Sequence, residues 1–385
     1  VKERNDKPFG GCAVLFSGDF RQCLPIVKGN PTIGEVFQRC ILSSSFINGI
    51  HILTMTENMR ILSSNHSPEQ LTLLKTQSEF LLDIGSGLHL ASGRGLENIN
   101  ILTQNLHAFY PSDGHWYENF IRKIYPTTKL QLCADLINDE SVFDHVMEML
   151  KGNCILAPTN KHVASINSKL IRELPGRMFS FDALDSLANG STLDPHNPFD
   201  NTLIGKMKKH KEAGFPAYHL NLKVGSPVML VRNLSTRDGL VNGTRLVVTK
   251  IFIQDGAKCV ECRIVTGKRT GKKVLFHRME FYHQFEDTCP VEFTRLQFPL
   301  QLCYAMTINK SQGQTFTGKV GLYLKDGVFS HGQLYVALSR ATSFKNISIC
   351  YAPVQGQHKH CQLNIVCPQV TERIINNRST NNGTI

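Results

Sequence analysis

The 385-residue sequence lacks long apolar runs and contains fewer acidic than basic residues. No uninterrupted apolar stretch reaches the roughly 18 residues of a membrane span. The first residues contain no apolar segment of the kind that directs secretion, so we expect no secretory processing. Acidic residues number 31 against 42 basic ones, which gives a formal charge of +11. This excess favours a polyanionic partner such as nucleic acid, although many basic enzymes have none.

The 12 cysteines are scattered and do not form the paired clusters of a zinc knuckle. Cys259 and Cys262 have metal-like spacing, but no second pair lies nearby. Cys361 and Cys367 are spaced too irregularly to complete such a site. We interpret the cysteines as reduced thiols, with Cys259 and Cys262 in a β-hairpin, and predict no metal site.

Short apolar runs followed by polar loops recur along the chain and indicate buried parallel strands. They span 12–16, 50–55, 154–157, 302–306, 319–324 and 347–351. Apolar residues at helical spacing predict helices between these runs. The predicted helices cover 67–85, 116–124, 143–152, 163–171 and 330–341. Alternating strands and helices of this kind are typical of an α/β fold.

Residues 220–285 have a different pattern, in which β-rich runs alternate with turn signals such as Asp255-Gly256. This pattern predicts a series of hairpins that form a small barrel or sandwich. Residues 185–215 are rich in Gly, Pro, Asn and then Lys, and we interpret them as an irregular connector. The Asn- and Thr-rich residues beyond 353 are expected to be poorly ordered.

Three polar segments are candidates for phosphate chemistry. Asp19-Phe-Arg-Gln22 follows an apolar run, where a glutamine can hold a γ-phosphate and the attacking water, or can simply cap a helix. Thr307–Thr315 crowds Lys, Ser, Gln and Thr around one glycine, which is more donors than a plain capping loop needs. Arg340 ends an apolar helix, where it can reach a nucleotide or form an ordinary salt bridge.

Four motifs, in this order, resemble one known family. They are Phe16-Ser-Gly-Asp-Phe-Arg-Gln22, Leu53-Thr-Met-Thr-Glu-Asn-Met-Arg60, Ala305-Met-Thr-Ile-Asn-Lys-Ser-Gln-Gly-Gln-Thr315 and Gly332-Gln-Leu-Tyr-Val-Ala-Leu-Ser-Arg340. The resemblance is to the PIF-type (petite integration frequency) superfamily-one DNA helicases, over roughly residues 8 to 352. Residues 224–233 and 239–245 are similar to the subgroup carried by Helitron transposons.

The resemblance implies an α/β fold of RecA-like P-loop NTPase lobes, the first partial and the second complete, with an inserted small β-barrel. It divides the chain into six regions. These are the first-lobe remainder (1–62), a helical connecting region (63–152), the two parts of the second lobe (153–215 and 291–352), the barrel (216–290) and the tail (353–385).

The resemblance also implies roles for individual residues. Gln22 resembles the γ-phosphate sensor, Arg60 the first-lobe arginine on the γ-phosphate, and Arg340 the arginine finger of the second lobe. Other positions would meet the nucleotide (Asp19, Gln312, Gly313 and Gln314) or the DNA backbone (Thr159, Asn160, Thr307, Lys310 and Ser311). The implied cofactors are ATP and Mg²⁺, and the implied partners are single-stranded and forked DNA.

One departure from the family pattern concerns catalysis. The sequence contains no G-x-x-x-x-G-K-[ST] segment and no acidic pair for Mg²⁺. Both motifs would lie upstream of Val1 in this family, so the magnesium ligand is not in this chain. Without them much of the phosphate and transition-state stabilisation is missing. We therefore expect the isolated chain to hydrolyse ATP negligibly.

The resemblance implies a monomeric 5′–3′ DNA helicase that couples ATP hydrolysis to movement on single-stranded DNA. It would act in DNA repair, recombination, telomere maintenance or transposon replication, in the nucleus or alternatively in mitochondria. A second hypothesis is a degenerate transposon remnant that binds nucleic acid without ATPase activity. An RNA helicase of the wider superfamily is disfavoured by the PIF-type motifs.

Overall fold

The computed structural model describes residues 8–27, 29, 31–45, 47, 50, 53, 55, 57–59, 67–87, 96–100, 106–135, 143–212, 214–284, 289–351, 361–370 and 372. Helices α1 to α8 span Ile33–Gln38, Pro68–Ser86, Trp116–Ile124, Thr127–Asp135, Phe143–Gly152, Asn160–Glu173, Pro198–Lys209 and Gln333–Ser339. None of the helices in these ranges is long and apolar enough to cross a membrane.

Strands β1 to β17 follow the same chain order. They span Leu96–Asn100, His107–Phe109, Cys154–Ala157, Phe179–Asp182, Leu184–Leu187, His219–Leu222, Pro227–Leu230, Arg245–Gln254, Ala257–Ile264, Lys273–Phe276, Met279–His283, Phe293–Gln297, Leu300–Leu302, Ala305–Thr307, Val320–Leu324, Ile347–Tyr351 and Cys361–Ile365. The chain divides into two compact units. The first unit contains 1–98, 329–336 and 363–385, and the second contains 99–328 and 337–362.

A parallel five-stranded sheet forms the centre of the second unit. Its strand order is β14-β3-β15-β16-β2, and every neighbouring pair is parallel. All residues of β3 and β15 are buried, as expected for strands covered on both faces. Helices α3, α5 and α6 pack their apolar residues against this sheet in one core. The predicted strands 154–157, 319–324 and 347–351 are thereby confirmed, as are the helices at 116–124 and 143–152.

The predicted strand 302–306 is wrong in one respect, because it is split into β13 and β14. The buried Asn167 side chain on α6 sits at the break. Its Nδ2 donates to the carbonyls of Leu302 (3.2 Å) and Ala305 (3.0 Å), and its Oδ1 accepts from Ala305 N (2.8 Å). The amide therefore satisfies main-chain groups that lack a ladder partner at this turn.

The predicted hairpins of residues 220–285 are confirmed. Strands β10-β9-β8-β7-β13 form an antiparallel sheet, and its core is shared with the β4–β6 pair. Asp255 and Gly256 both have positive φ, which is the geometry of a two-residue hairpin turn between β8 and β9. Cys259 and Cys262 are buried within β9, as the hairpin interpretation predicted. Closure into a barrel stays a prediction.

The prediction that 185–215 is an irregular connector is wrong. This segment contains part of β5 and the whole of α7, which begins after Asn197 as N-cap with Pro198 at its first position. Strand β5 joins β12 and β11 in a three-stranded antiparallel sheet. Arg295 of β12 makes a two-fold ion pair with Asp185 (2.8 Å each), and it also donates to the Met207 carbonyl at the end of α7. This buried pair ties helix and sheet together.

Several predictions for the first unit also need correction. Residues 12–16 form no strand, and Leu15 is 88% exposed. A strand needs ladder partners, and none of the described strands pairs with this segment. Residues 53 and 55 belong to no element, and the rest of the 50–55 run lies partly outside the described residues.

The tail and two helix boundaries differ from prediction as well. Cys361–Ile365 forms β17, and both Cys367 and Val370 are buried against Leu24 and Leu42. Apolar burial therefore orders a segment that its polar composition predicted to be poorly ordered. Helix α2 has the predicted Ser67–Gln70 capping box but ends at Ser86, not at Gly85. The last predicted helix is shorter than 330–341, since α8 covers only Gln333–Ser339.

Replacing Asn167 with alanine should leave the Ala305 N–H and two carbonyls unsatisfied. We expect the free energy of unfolding of the second unit to fall by about 2–3 kcal/mol. Trp116, the sole tryptophan of the sequence, packs against the same core, so its fluorescence during urea unfolding reports this loss. Asn201→Ala on the exposed face of α7 is the matched control. Equal unfolding midpoints for the two variants would contradict this account.

Candidate functional site

Asp19–Gln22, here called the sensor loop, is a tight turn in the first unit. Gln22 N donates to the Asp19 carbonyl (3.1 Å), which closes the turn. The Asp19 carboxylate accepts from Arg21 N (3.1 Å) and from Gln22 Nε2 (3.4 Å). Arg21 also pairs with this carboxylate at 3.6 Å. Asp19 therefore orients the amide of Gln22, the predicted sensor.

Residues 331–335, here called the docking segment, hold the sensor loop from a distant part of the sequence. The Tyr335 hydroxyl donates to Asp19 Oδ2 (2.9 Å). His331 Nδ1 accepts from Cys367 N (2.8 Å), so Nε2 carries the proton and donates to the Phe20 carbonyl (2.8 Å). Burial lowers the pKa of His331, which favours this neutral ring. The docking segment thus fixes both the side chain and the main chain of the loop.

Two glycines allow this close packing. Gly332 has a φ of +71°, and a Cβ there would lie 2.7 Å from the carbonyl carbon and oxygen of Gln22 and closer still to the Arg21 oxygen. A Cβ on Gly85, in the last turn of α2, would lie 2.8 Å from Tyr335 and 2.9 Å from Arg21. Backbone atoms cannot yield as a flexible side chain can, so Gly332 is required here. Gly332 begins one of the four motifs, but no role was predicted for it.

Thr307–Thr315, here called the donor loop, follows β14 in the second unit. The Thr307 hydroxyl accepts from Lys310 N (3.4 Å), and the Ser311 hydroxyl donates to the Ile308 carbonyl (2.7 Å). Gly313 is in the left-handed region, with φ +78°. Gln312 and Gly313 are exposed, whereas Ser311 is fully buried. The Ser311 hydroxyl therefore serves the loop's own structure, and its predicted contact with DNA has no exposed atom in this conformation.

Arg340, the predicted arginine finger, is buried at 4% exposure beside the donor loop. Its guanidinium donates to the Gln314 carbonyl (3.1 Å) and to the Ser339 hydroxyl (2.8 Å). Its own carbonyl accepts from Phe316 N (2.8 Å). In this conformation Arg340 holds the donor loop in place, and its contact with a γ-phosphate stays a prediction.

The predicted DNA contacts lie along one edge of the parallel sheet. Thr159 caps α6 immediately after β3, and its hydroxyl accepts from His162 N (3.3 Å). Strand β3 pairs with β14 in parallel, with Ala157 opposite Thr307. The carboxyl ends of parallel strands form the usual ligand edge of such sheets. Thr159 and Asn160 therefore share this edge with the donor loop.

Lys310 is a cation at this edge. Its side chain reaches the surface, while the surrounding protein lowers its pKa by restricting solvation. An anionic ligand would favour the protonated ammonium at this position.

The predicted site residues thus fall into separate groups. Asp19 and Gln22 belong to the first unit, and the donor-loop residues, Arg340, Thr159 and Asn160 belong to the second. Arg60 lies outside the described residues.

Arg245, for which the sequence predicted no role, also helps to position the donor loop and the sheets. It begins β8 and is buried, and it donates to the carbonyls of Lys151 (3.3 Å) and Asn153 (3.0 Å) at the end of α5. Its guanidinium also lies 5.5 Å from the ring centre of Phe316, which follows the donor loop. Arg245 therefore anchors the antiparallel sheet to the parallel-sheet core. Its position at the end of the 239–245 motif was the feature of the sequence that could have indicated this role.

Comparison with protein families gives two matches. Residues 1–93 match the family described as PIF1-like helicase, and residues 209–251 match the one described as DNA helicase Pif1, 2B domain.

Alignments with two relatives cover most of this chain. The ATP-dependent DNA helicase PIF1 of Homo sapiens is 37% identical over 351 residues, which is 91% of this chain and 42% of the human protein. The Mus musculus protein of the same name is 35% identical over 349 residues, or 89% of this chain and 40% of that protein. The chain thus spans about two fifths of the length of these relatives.

A solved structure shows the same fold. The crystal structure of Pif1 helicase from Candida albicans matches with a TM-score of 0.58 and 23% identity, covering 97% of this chain and 70% of that one.

Proposed function

We propose that this chain, which is homologous to the Pif1 helicases, forms part of an ATP-dependent DNA helicase. The observation that carries the proposal is the carboxyl edge of the parallel sheet. There the start of α6 and the donor loop supply hydroxyls, main-chain N–H groups and Lys310, which are the groups that bind phosphates. The order of the four motifs and the similarity to ATP-dependent DNA helicases support the same proposal.

In this proposal each nucleotide-facing residue has one task. Gln22, oriented by Asp19, holds a γ-phosphate oxygen and the attacking water. Arg60 and Arg340 neutralise charge that develops on the transferred phosphoryl group. The exposed Gln312 and Gly313, with Gln314, offer main-chain and side-chain donors to the nucleotide. For Arg340 this task requires the guanidinium to leave the Gln314 carbonyl.

The described residues near Gln22 do not fit a magnesium site. Asp19 is the carboxylate of the sensor loop, and Arg21, Gln22 and Tyr335 already donate to it or pair with it. A carboxylate engaged by these donors has little capacity left for a hard cation that prefers several oxygen ligands. The sensor loop therefore offers Mg²⁺ no free carboxylate.

The proposed partners are single-stranded and forked DNA, contacted mainly through phosphates. Thr159, Asn160, Thr307 and Lys310 would bind the backbone, with Ser311 contributing through the conformation of its loop. Such contacts are weakly sequence-dependent and sensitive to salt. We further propose that the protein moves 5′–3′ on DNA, belongs to the Helitron-like subgroup and acts as a monomer in the nucleus, or alternatively in mitochondria. It would act in DNA repair, recombination, telomere maintenance or transposon replication.

The second candidate function is that of a degenerate remnant that binds nucleic acid without ATPase activity. It would use the same edge, because the hydroxyls of Thr159 and Thr307 and the ammonium of Lys310 can bind phosphates without ATP hydrolysis. In a protein that also contains a P-loop, Gln22, Arg60 and Arg340 would support ATP hydrolysis according to the first proposal. According to the second proposal, they would have no catalytic task.

Single-stranded DNA binding tests the proposed edge directly. Lys310→Ala should weaken binding several-fold and reduce the slope of log affinity against log salt by about 0.7, the value for one lost phosphate contact. Fluorescence anisotropy with labelled oligonucleotides of mixed sequence measures both quantities. Lys268→Ala, an exposed lysine in the turn between β9 and β10, is the matched control. Equal affinities and equal salt slopes for the two variants would show that this edge does not bind DNA.

ATP turnover tests whether the isolated chain lacks a complete ATPase site, as expected. The purified 385 residues should hydrolyse ATP no faster than a buffer blank, with or without single-stranded DNA, because the P-loop lysine and magnesium carboxylates are missing. A coupled assay for released phosphate measures the rate. A robust DNA-stimulated rate would show that this chain carries a complete ATPase site.

A further inference from the structure

Three buried side chains of metal-binding type meet beside α7 in the second unit. They are His210, His283 and Cys289, and their ligand atoms all lie within 4.8 Å of one another. The two imidazole ring centres are 4.0 Å apart. The side chains of His210 and His283 are only 3% and 0% exposed, and Cys289 is also buried. Two adjacent imidazoles and a thiol rarely converge in a core without a shared partner.

These residues come from separate segments of the chain. His210 directly follows α7, His283 is the last residue of β11, and Cys289 precedes β12. The arrangement therefore depends on the packing of α7 against the β11–β12–β5 sheet. The apolar cluster at this place is small, with Met207, Cys289 and Phe293 as its buried members. A small core of this kind gains most from a metal that cross-links its elements.

Glu212 lies beside the two histidines and is the candidate for a fourth ligand. Its Oε2 lies 3.4 Å from His210 Nε2 and 3.2 Å from His283 Nδ1. Two ligand atoms on a tetrahedral zinc ion, each at about 2.0–2.1 Å, lie about 3.3–3.4 Å apart. The observed separations are close to that value.

Charge and access also suit a divalent cation. A thiolate from Cys289 and the Glu212 carboxylate would together balance two positive charges, and the imidazoles would bind as neutral ligands. The nearby Arg295 already has its own counterion in Asp185. Glu212 is 43% exposed and lines a surface cavity of about 560 Å³, which gives an ion a route from solvent.

We propose that His210, Glu212, His283 and Cys289 form a structural zinc site. Imidazole, thiolate and carboxylate together suit zinc, and four protein ligands leave no position open for a substrate. The ion would fasten the end of α7 to the ends of β11 and β12. This proposal differs from the sequence-based prediction of no metal site, and it does not depend on the helicase proposal.

Metal analysis of the whole chain tests the site. After incubation with zinc and removal of excess metal, inductively coupled plasma mass spectrometry should find about one zinc per chain. Cobalt(II) in place of zinc should give the intense d–d bands of a tetrahedral site and a thiolate-to-cobalt charge-transfer band. Cys289→Ser should lose the charge-transfer band, whereas Cys12→Ser, at an exposed cysteine, should keep it.

Two further variants keep the test decisive if Cys289→Ser folds poorly. Glu212→Gln changes a half-exposed side chain and should weaken zinc binding at least tenfold, as measured by competition with a chelating dye. His196→Gln, at an exposed histidine, should leave the affinity unchanged. Substoichiometric zinc in the unaltered chain, or equal affinity in the Glu212→Gln and His196→Gln variants, would overturn the proposal.

Discussion

The first unit depends on one close approach, between Gly332 and the main chain of Arg21 and Gln22. No side chain fits between these backbones, so the docking segment and the sensor loop take up a single arrangement. That arrangement brings Tyr335 to the Asp19 carboxylate and His331 to the Phe20 carbonyl. The position of the Gln22 amide follows from these contacts, although Gln22 itself is more than 300 residues away from the segment that fixes it.

The second unit uses buried polar side chains in a similar way. Arg340 binds carbonyls of the donor loop, Arg245 binds carbonyls at the end of α5, and Asn167 binds the break between β13 and β14. Each one satisfies main-chain groups that the sheets leave unpaired, and each therefore sets the course of a loop. Because Arg340 fixes the donor loop and Asn167 fixes the strand break before it, the groups proposed to bind phosphate in this loop are pre-organised. Pre-organisation of this kind is what a phosphate site needs.

Much of the parallel sheet could be predicted from the sequence because its strands are continuous apolar runs, as in Cys154–Ala157 and Val320–Leu324. The prediction failed where a contact from elsewhere decides the structure. Residues 12–16 are as apolar as those strands but have no described ladder partner, and β17 is ordered by packing against distant apolar residues. The start of helix α7 could have been predicted from Asn197-Pro198, a typical N-cap followed by proline. The lysines of its last turn instead suggested an irregular basic segment. The residues of the candidate site could be predicted because they lie in short contiguous motifs. The cluster of His210, His283 and Cys289 could not, because its members lie up to 79 residues apart in the sequence.

Hydrogen exchange of the sensor loop in a Gly332→Ala variant tests the central claim most directly. The Gln22 amide donates to the Asp19 carbonyl, and the Cys367 amide donates to His331, so both report on the docked arrangement. The account predicts that both amides lose protection in Gly332→Ala. They should keep it in Gly190→Ala, where a glycine of similar positive φ has no atom within 4 Å of the added Cβ. Unchanged protection in Gly332→Ala, or equal loss in both variants, would contradict it.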